Sequence, residues 1–290
     1  MLYQRHPHPT LADPVLIIAL EGWIDAGFGA AGAAEILSDQ LTTEPVATFD
    51  TDALLDQRAR RPVMHLVDGV NTGLTWPSIE LLSASDRDGR DLLLLLGSEP
   101  DHRWAAFCDD IVQLSTELGV SRVLGLGAYP AGTPHTRPVR MSITANSERL
   151  ADRLPQYARG SLDVPAGVEA ALEERFAQTD IEAVGLWAQV PHYASGMPYP
   201  AASAALIDAA GDVGDRRFKI ESLQDDAAAT RVKLDQLVSQ SSEHSALLTQ
   251  LEEAYDQSIE NDVGFDVEEP IPSGDELAAQ VEEFLRDQDD

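Results

Sequence analysis

Residues 123–138 read Val123-Leu-Gly-Leu-Gly-Ala-Tyr-Pro-Ala-Gly-Thr-Pro-His-Thr-Arg-Pro138, an apolar run followed by a loop of glycine, proline and polar residues. The run at 123–128 does not alternate between polar and apolar residues, so it predicts a strand that is buried on both faces. The loop then gathers polar groups where the chain leaves the predicted sheet. Other segments of the chain repeat this layout, and the repetition predicts the fold.

Further apolar runs alternate with segments of helical periodicity. The predicted strands cover residues 14–20, 45–49, 63–67, 91–97 and 183–190, and the predicted helices cover residues 27–41, 103–118, 145–154, 167–177 and 199–210. Strands that alternate with helices of about ten or more residues indicate βαβ units and a largely parallel sheet with both faces covered. We therefore predict a three-layer α/β/α core domain over residues 1–220, with a mostly parallel central sheet.

The character of the chain changes after residue 220. Apolar and small residues recur at alternating spacings of four and three from Leu223 to Tyr255, which predicts one long helix or a helical hairpin broken near residues 239–242. An acidic linker at 261–269 and a capping box at 273–276, which opens a last amphipathic helix, complete the predicted extension. We expect this acidic helical extension, residues 221–290, to pack on the core or on a neighbouring subunit.

The balance of charge is strongly acidic. The 290 residues carry a formal net charge of −30, and the only lysines are Lys219 and Lys233. Such a surface repels phosphate backbones, so we expect no nucleic-acid partner and interpret the charge as a solubility feature.

The cysteine content and the hydropathy limit the class of protein further. Cys108 is the sole cysteine, which rules out an intramolecular disulfide and predicts a buried structural thiol. No run approaches 18 apolar residues, and the first residues lack the apolar core of a signal peptide. We therefore expect a cytoplasmic protein with no membrane partner.

The segment Gly27-Phe-Gly-Ala-Ala-Gly32 matches the dinucleotide-binding pattern, and Asp50 follows 18 residues later. The tight turn of a nucleotide site begins at the strand end, however, whereas about six residues separate Leu20 from Gly27. Small residues at this spacing also suit close helix packing, so we predict no bound cofactor. Asp101-His102 lacks the three or four converging ligands that a metal site needs, and we predict no metal.

Two histidines, His135 and His192, each follow a proline just past a predicted buried strand. If the two strands are neighbours, both imidazoles can face one crevice. Histidine near a carboxylate can perform acid–base chemistry, and an arginine can hold a carboxylate or phosphate. The alternative is structural, with these groups tying the strand-exit loops together. The candidate pocket comprises Trp23, Asp25, His135, Thr136, Arg137, His192 and Tyr193.

Four motifs give the sequence a family resemblance. They are Gly22-Trp-Ile-Asp-Ala-Gly27, Pro134-His-Thr-Arg-Pro138, Gly185-Leu-Trp-Ala-Gln-Val-Pro-His-Tyr193 and Pro272-Ser-Gly-Asp275. The sequence resembles the bacterial and archaeal proteasome assembly chaperone 2 family, most closely its actinobacterial branch. The resemblance implies a phosphorylase/hydrolase-like α/β/α domain, an acidic helical C-terminal extension and self-association as trimers.

The resemblance and the residues together lead to two functional hypotheses. The first is a non-catalytic, oligomeric binding or assembly factor with a protein partner, and on this hypothesis the protein is not an enzyme. The alternative is an enzyme that acts on a small anionic or nucleoside-like ligand at the carboxyl edge of the sheet. Proteasome-binding relatives use a hydrophobic-Tyr-X tail, whereas this sequence ends Leu285-Arg-Asp-Gln-Asp-Asp290.

Overall fold

The computed structural model describes residues 1–22 and 24–260. The strands in this part of the chain are β1 (Tyr3–Arg5), β2 (Val15–Glu21), β3 (Glu44–Phe49), β4 (Val63–Val67), β5 (Val70–Thr75), β6 (Ile79–Ser85), β7 (Asp91–Ser98), β8 (Arg122–Ala131), β9 (Met141–Ala145) and β10 (Glu182–Pro191). Eight of these strands form one sheet in the order β1-β3-β6-β7-β2-β8-β10-β9, and β4 pairs only with β5.

The helices of the same residues are α1 (Gly29–Gln40), α2 (Thr51–Leu54), α3 (Trp104–Glu117), α4 (Glu148–Asp152), α5 (Val168–Phe176), α6 (Pro200–Gly214), α7 (Glu221–Ser239) and α8 (Ser242–Glu260). Short 3₁₀ turns at Ala26–Phe28 and His192–Ala194 follow β2 and β10. None of the helices within the described ranges has the length and hydropathy needed to cross a membrane.

The centre of the sheet consists of β7, β2, β8 and β10, which run parallel to one another. Successive side chains of strand β2 pack into two separate hydrophobic cores, one on each face of the sheet. Val15 and Ile17 pack with α1 and α6, whereas Leu16 and Ile18 pack with α3 and α5. Apolar residues are therefore needed at consecutive positions. The α/β/α fold class is confirmed, with antiparallel strands β6 and β9 flanking the parallel centre.

Two local predictions need correction. The segment predicted as a helix over 145–154 begins instead as the end of β9, which pairs antiparallel with β10, and only the short helix α4 follows. Ser147 caps that helix by accepting a hydrogen bond from the Leu150 N–H. The strand predicted at 63–67 exists, but it lies outside the main sheet in the β4–β5 hairpin. Strands β1, β5 and β6 were also not predicted.

Helices α7 and α8 form the hairpin that the heptad spacing allows, with the break at residues 240–241. Helix α7 packs against α6 and buries Leu223 and Leu234 in the core. The core elements end with α6 at Gly214. Of the extension that follows, the structure describes the helical hairpin. The predicted linker at 261–269 and the predicted last helix lie outside the described residues.

Candidate functional site

The loops that follow β8 and β10 lie side by side because these strands are neighbours in the sheet. The backbone N–H of His135 donates to the Tyr193 hydroxyl at 2.9 Å, and that hydroxyl lies 2.7 Å from His135 Nδ1. The rings of His192 and Tyr193 meet edge to face with their centroids 5.3 Å apart. The structure therefore brings together three of the residues proposed for the pocket.

The other ring nitrogen of His135 contacts the helical hairpin. Its Nε2 lies 3.1 Å from Oδ1 of Asp235 on α7, and the His135 side chain is fully buried. An ionised carboxylate only accepts hydrogen bonds, so Nε2 donates its proton to Asp235, and in the neutral imidazole Nδ1 then accepts a hydrogen bond from the Tyr193 hydroxyl. Burial raises the pKa of Tyr193 to about 12, which keeps this phenol protonated at neutral pH.

The next two residues of the loop contact α8. Thr136 donates a hydrogen bond to Glu252, and the Arg137 guanidinium forms two hydrogen bonds with Asp256, at 2.8 and 2.7 Å, and one with Glu252 at 3.1 Å. The Tyr255 hydroxyl donates to the Pro138 carbonyl at 3.0 Å. Hydrogen bonds from the Arg137 guanidinium favour the ionised form of the Asp256 carboxyl group and lower its pKa. The polar groups of this loop are thus engaged by the chain's own acidic hairpin.

The carboxylate of Asp25 caps the start of α1. Its carboxylate accepts hydrogen bonds from the N–H groups of Ala30 at 2.8 Å and Ala31 at 2.9 Å. Burial raises its pKa, and the backbone hydrogen bonds oppose that rise. The carboxylate therefore occupies the helix N-terminus at which a nucleotide phosphate would bind. Trp23, the remaining candidate, lies outside the described residues.

The glycines of the 27–32 segment fill positions where α1 packs closely. A Cβ at Gly29 would lie 2.8 Å from the Ala128 Cβ on β8, and one at Gly32 would lie 2.5 Å from the Ser203 Oγ on α6. Gly27 adopts a left-handed φ of 63° that favours glycine. Close packing of α1 against β8 and α6 therefore accounts for the glycines at positions 29 and 32.

Sequence reasoning missed a group of carboxylates between α5 and the sheet. Glu99 accepts the Val168 N–H at 2.6 Å, and Glu173 accepts the Thr144 hydroxyl at 2.6 Å. Glu169 has a buried Oε1 with no hydrogen-bond partner in the described structure. Burial raises the pKa of Glu169 well above its ordinary value, and the negative charges of Glu99 and Asp25 raise it further. The described residues include no acidic, histidine or cysteine cluster placed to hold a metal ion.

One sequence signal could have revealed this group. Gly125 and Gly185 interrupt the apolar runs of β8 and β10, and a glycine within a strand often marks the close approach of another group. A Cβ at Gly125 would lie 3.0 Å from Oε2 of Glu169, so this glycine provides space for the Glu169 carboxyl group. A Cβ at Gly185 would meet the hydroxyl of Thr144, which donates a hydrogen bond to Glu173.

Together these contacts define an α/β/α protein in which a C-terminal helical hairpin engages the loop after β8. The sequence model of the PAC2 family matches residues 19–238, and the chain belongs to this family. A search of curated proteins returned no match.

Solved structures agree with this membership. A Corynebacterium glutamicum protein of unknown function is 31% identical, with a TM-score of 0.86, over 91% of this chain and 100% of that one. The Mycobacterium tuberculosis protein Rv2714, also of unknown function, is 36% identical over 90% of each chain, with a TM-score of 0.82. The M. tuberculosis proteasome-assembly chaperone homologue Rv2125 is 33% identical over 82% of this chain and 99% of that one, with a TM-score of 0.74.

Proposed function

We propose that this protein is a cytoplasmic, non-catalytic binding or assembly factor that self-associates, as a trimer, and acts on a protein partner. The observation that carries the proposal is the engagement of the 135–137 loop by α7 and α8. His135, Thr136 and Arg137 each bond to a carboxylate of the hairpin. A small ligand would have to displace these carboxylates to reach the same polar groups.

Because the polar groups of this loop are engaged within the chain, we expect the protein to act through its outer surfaces. An outer surface binds other macromolecules. The net charge of −30 disfavours nucleic acids as partners, because their phosphate backbones are also negative. The similar protein Rv2125 is described as a proteasome-assembly chaperone homologue. Proteasome subunits are therefore the first protein partners to test.

The test combines this protein with purified proteasome α and β subunits from its own source. The formation of assembled particles is followed with time on native gels, and the binding of each subunit type is measured by sedimentation. We expect binding to one type of subunit and faster assembly. An unrelated protein of similar net charge controls for a general effect of acidity. If neither subunit binds and the assembly rate is unchanged, the proteasome is not the partner.

The alternative, an enzyme acting on a small anionic or nucleoside-like ligand, stays a prediction with its own test. Thermal unfolding of the wild type and of His135→Ala is measured with nucleotides, nucleosides, NAD and small carboxylates. A ligand at about 100 times its dissociation constant stabilises the folded state by about 2.7 kcal/mol. A ligand-dependent shift in the wild type that disappears in the variant would support the enzyme hypothesis over the assembly factor.

A further inference from the structure

Trp187 on β10 lies on one face of the sheet but outside both hydrophobic cores. Its neighbours Leu186 and Ala188 point into the core beside α1 and α6, so Trp187 points to the opposite face, against which α5 packs. The indole is partly exposed and belongs to neither core, and Thr144 beside it on β9 is exposed. Since β9 is the last strand of the sheet, this aromatic ring lies on an open surface that a partner can reach.

Two glycines allow the indole of Trp187 to lie across the strands. A Cβ at Gly127 would overlap the six-membered ring, and one at Gly185 would lie 2.8 Å from Nε1, on the other side of the indole. Both sides of the ring system therefore approach the sheet. Nε1 donates to the Thr144 hydroxyl at 3.2 Å, and that hydroxyl donates to Glu173 at 2.6 Å. These hydrogen bonds fix the orientation of the ring before any partner binds.

Two carboxyl groups of α5 lie on the same face as this ring without a cation. Glu173 is joined to the indole through Thr144, and Glu169 lies beside Gly125 on the neighbouring strand. Within residues 1–22 and 24–260, neither glutamate forms a salt bridge, and Oε1 of Glu169 is buried without a hydrogen-bond partner. Burial raises the pKa of both groups. A bound cation would offset their charge and would also be attracted to the face of the indole.

Beyond the ring, the same face presents a hydrogen-bond donor. Gln189 follows Trp187 by two residues, about 7 Å along the strand. Gln189 is only 3% exposed, and its Nε2 has no hydrogen-bond partner in the part of the chain that the structure describes. Arg140 is next to it, since the Gln189 N–H donates to the Arg140 carbonyl at 2.9 Å, and the Arg140 guanidinium donates to Ser258. This end of the surface therefore suits an acceptor such as a carbonyl oxygen.

We propose that Trp187, Glu173 and Gln189 form a site for an arginine side chain of the protein partner. The guanidinium stacks on the indole and binds the Glu173 carboxylate, and the main-chain carbonyl of the same arginine accepts a hydrogen bond from Gln189 Nε2. An extended arginine side chain separates these two groups by about 6–7 Å, which matches the spacing of Trp187 and Gln189 along the strand. Arginine fits better than lysine because its planar guanidinium both stacks on aromatic rings and pairs with carboxylates.

The inference rests on the proposed function, since the arginine belongs to the protein partner. Its first test needs no partner and uses the full chain labelled with fluorotryptophan. Fluorine NMR reports on the four tryptophans, and the Trp187 signal is assigned by its loss in Trp187→Phe. The probe is N-acetyl-arginine methylamide at constant ionic strength, and the control is the corresponding citrulline derivative, which has nearly the same shape but no charge.

We expect the arginine probe to shift the Trp187 signal and to saturate with a dissociation constant of about 1–10 mM, as is usual for one side chain without the rest of an interface. The citrulline derivative should leave the signal unchanged. A Trp187 signal that does not move with the arginine probe up to about 50 mM would overturn the proposal. Equal shifts with both compounds would overturn it as well, because the site would then not recognise the positive charge.

Glu173→Gln tests the carboxylate that receives the guanidinium. We expect it to weaken binding of the arginine probe by about 5- to 10-fold, since a hydrogen-bonded charge pair is lost. The matched control is Glu174→Gln, which removes an exposed carboxylate from the next position of α5 and changes the formal charge equally. Circular dichroism confirms that both variants are folded. Equal affinities of the two variants for the probe would show that Glu173 does not bind the guanidinium and would overturn the assignment.

The subunit assay separates this inference from the proposed function. Arginine binding at Trp187 without binding of either proteasome subunit would retain the site and exclude the proteasome as the partner. Where a subunit does bind, Trp187→Phe and Glu173→Gln are each expected to weaken its binding, and Glu174→Gln is expected to leave it unchanged. A subunit that binds the wild type and these variants equally would overturn the inference and leave the proposed function intact.

Discussion

The Nε2 atom of His135 lies 3.1 Å from Oδ1 of Asp235, which is 100 residues further along the chain. On the other side of the ring, Nδ1 lies 2.7 Å from the Tyr193 hydroxyl. One buried imidazole thus links the loop after β8, the loop after β10 and helix α7. Both of its ring nitrogens have partners, so it joins the α/β/α core to the helical hairpin.

Replacing this histidine tests that structural role. We expect His135→Ala to lower the free energy of unfolding by about 2–3 kcal/mol, because it removes two hydrogen bonds and leaves a cavity. Urea unfolding gives the value. His244→Ala serves as the control, since the His244 side chain is exposed on α8, and it should change stability by less than about 0.5 kcal/mol. Equal stabilities for the two variants would contradict the structural role.

Arg137→Lys probes the attachment of α8. Lysine keeps the charge but cannot make the two parallel hydrogen bonds with Asp256, so we expect the α8 amides to lose protection from hydrogen exchange. The matched control is Arg149→Lys, because the Arg149 side chain is 84% exposed and its contact with Glu182 is 3.8 Å long. Unchanged α8 protection in Arg137→Lys would show that the paired hydrogen bonds do not hold this helix.

Glu169→Gln tests the buried carboxyl group through its pH dependence. The pKa of Glu169 in the folded state lies above the value of 4.5 taken for the unfolded chain, mainly because of burial. Its contribution to stability is therefore complete below the unfolded pKa and is lost as the pH rises through the folded pKa. We expect the stability advantage of Glu169→Gln over the wild type to grow as the pH rises above the unfolded value of 4.5.

Denaturant unfolding at a series of pH values measures this advantage. Glu174→Gln is the control, since it removes an exposed carboxylate from the same helix. The two variants share the same change in formal charge, so a common effect of net charge cancels between them. An identical pH dependence for both would mean that the Glu169 carboxyl titrates as it does in the unfolded chain.

Gly29→Ala tests whether the glycine pattern at 27–32 serves packing. The added Cβ would lie 2.8 Å from the Ala128 Cβ, and neither atom can rotate away. We expect a loss of about 1–3 kcal/mol in the free energy of unfolding. In the control Gly196→Ala, the added Cβ meets no atom within 4 Å. Wild-type stability in Gly29→Ala would show that α1 can shift without cost.

Predictions from the sequence were most accurate where one local pattern decides the structure. The helix predicted over 103–118 is present as α3, and Gly119 follows it with a left-handed φ of 70°. The helix predicted over 145–154 was too long, because Ala145 ends β9, which pairs with β10, and only Glu148–Asp152 is helical. It was incomplete at 63–67, since a strand pattern does not specify which strand will pair with it.

For the candidate site, the sequence indicated two loops that would meet only if their strands were neighbours in the sheet. His135 and His192 each follow a buried strand, and the strand order places both loops at one edge. Asp25 could not be assigned from the sequence, because a carboxylate just before a helix can either cap it or face a ligand. The partners of Thr136 and Arg137 could not be predicted either, since they lie 115–119 residues away.

The sequence by itself determined the α/β/α class and the helical character of the segment after residue 220. Strands buried on both faces need unbroken apolar runs, and heptad spacing gives a helix one apolar face. Only the tertiary structure decided that the acidic residues of that hairpin close the polar loop after β8. Helical periodicity specifies which face a helix buries, but the surface that it covers depends on contacts between residues far apart in the chain.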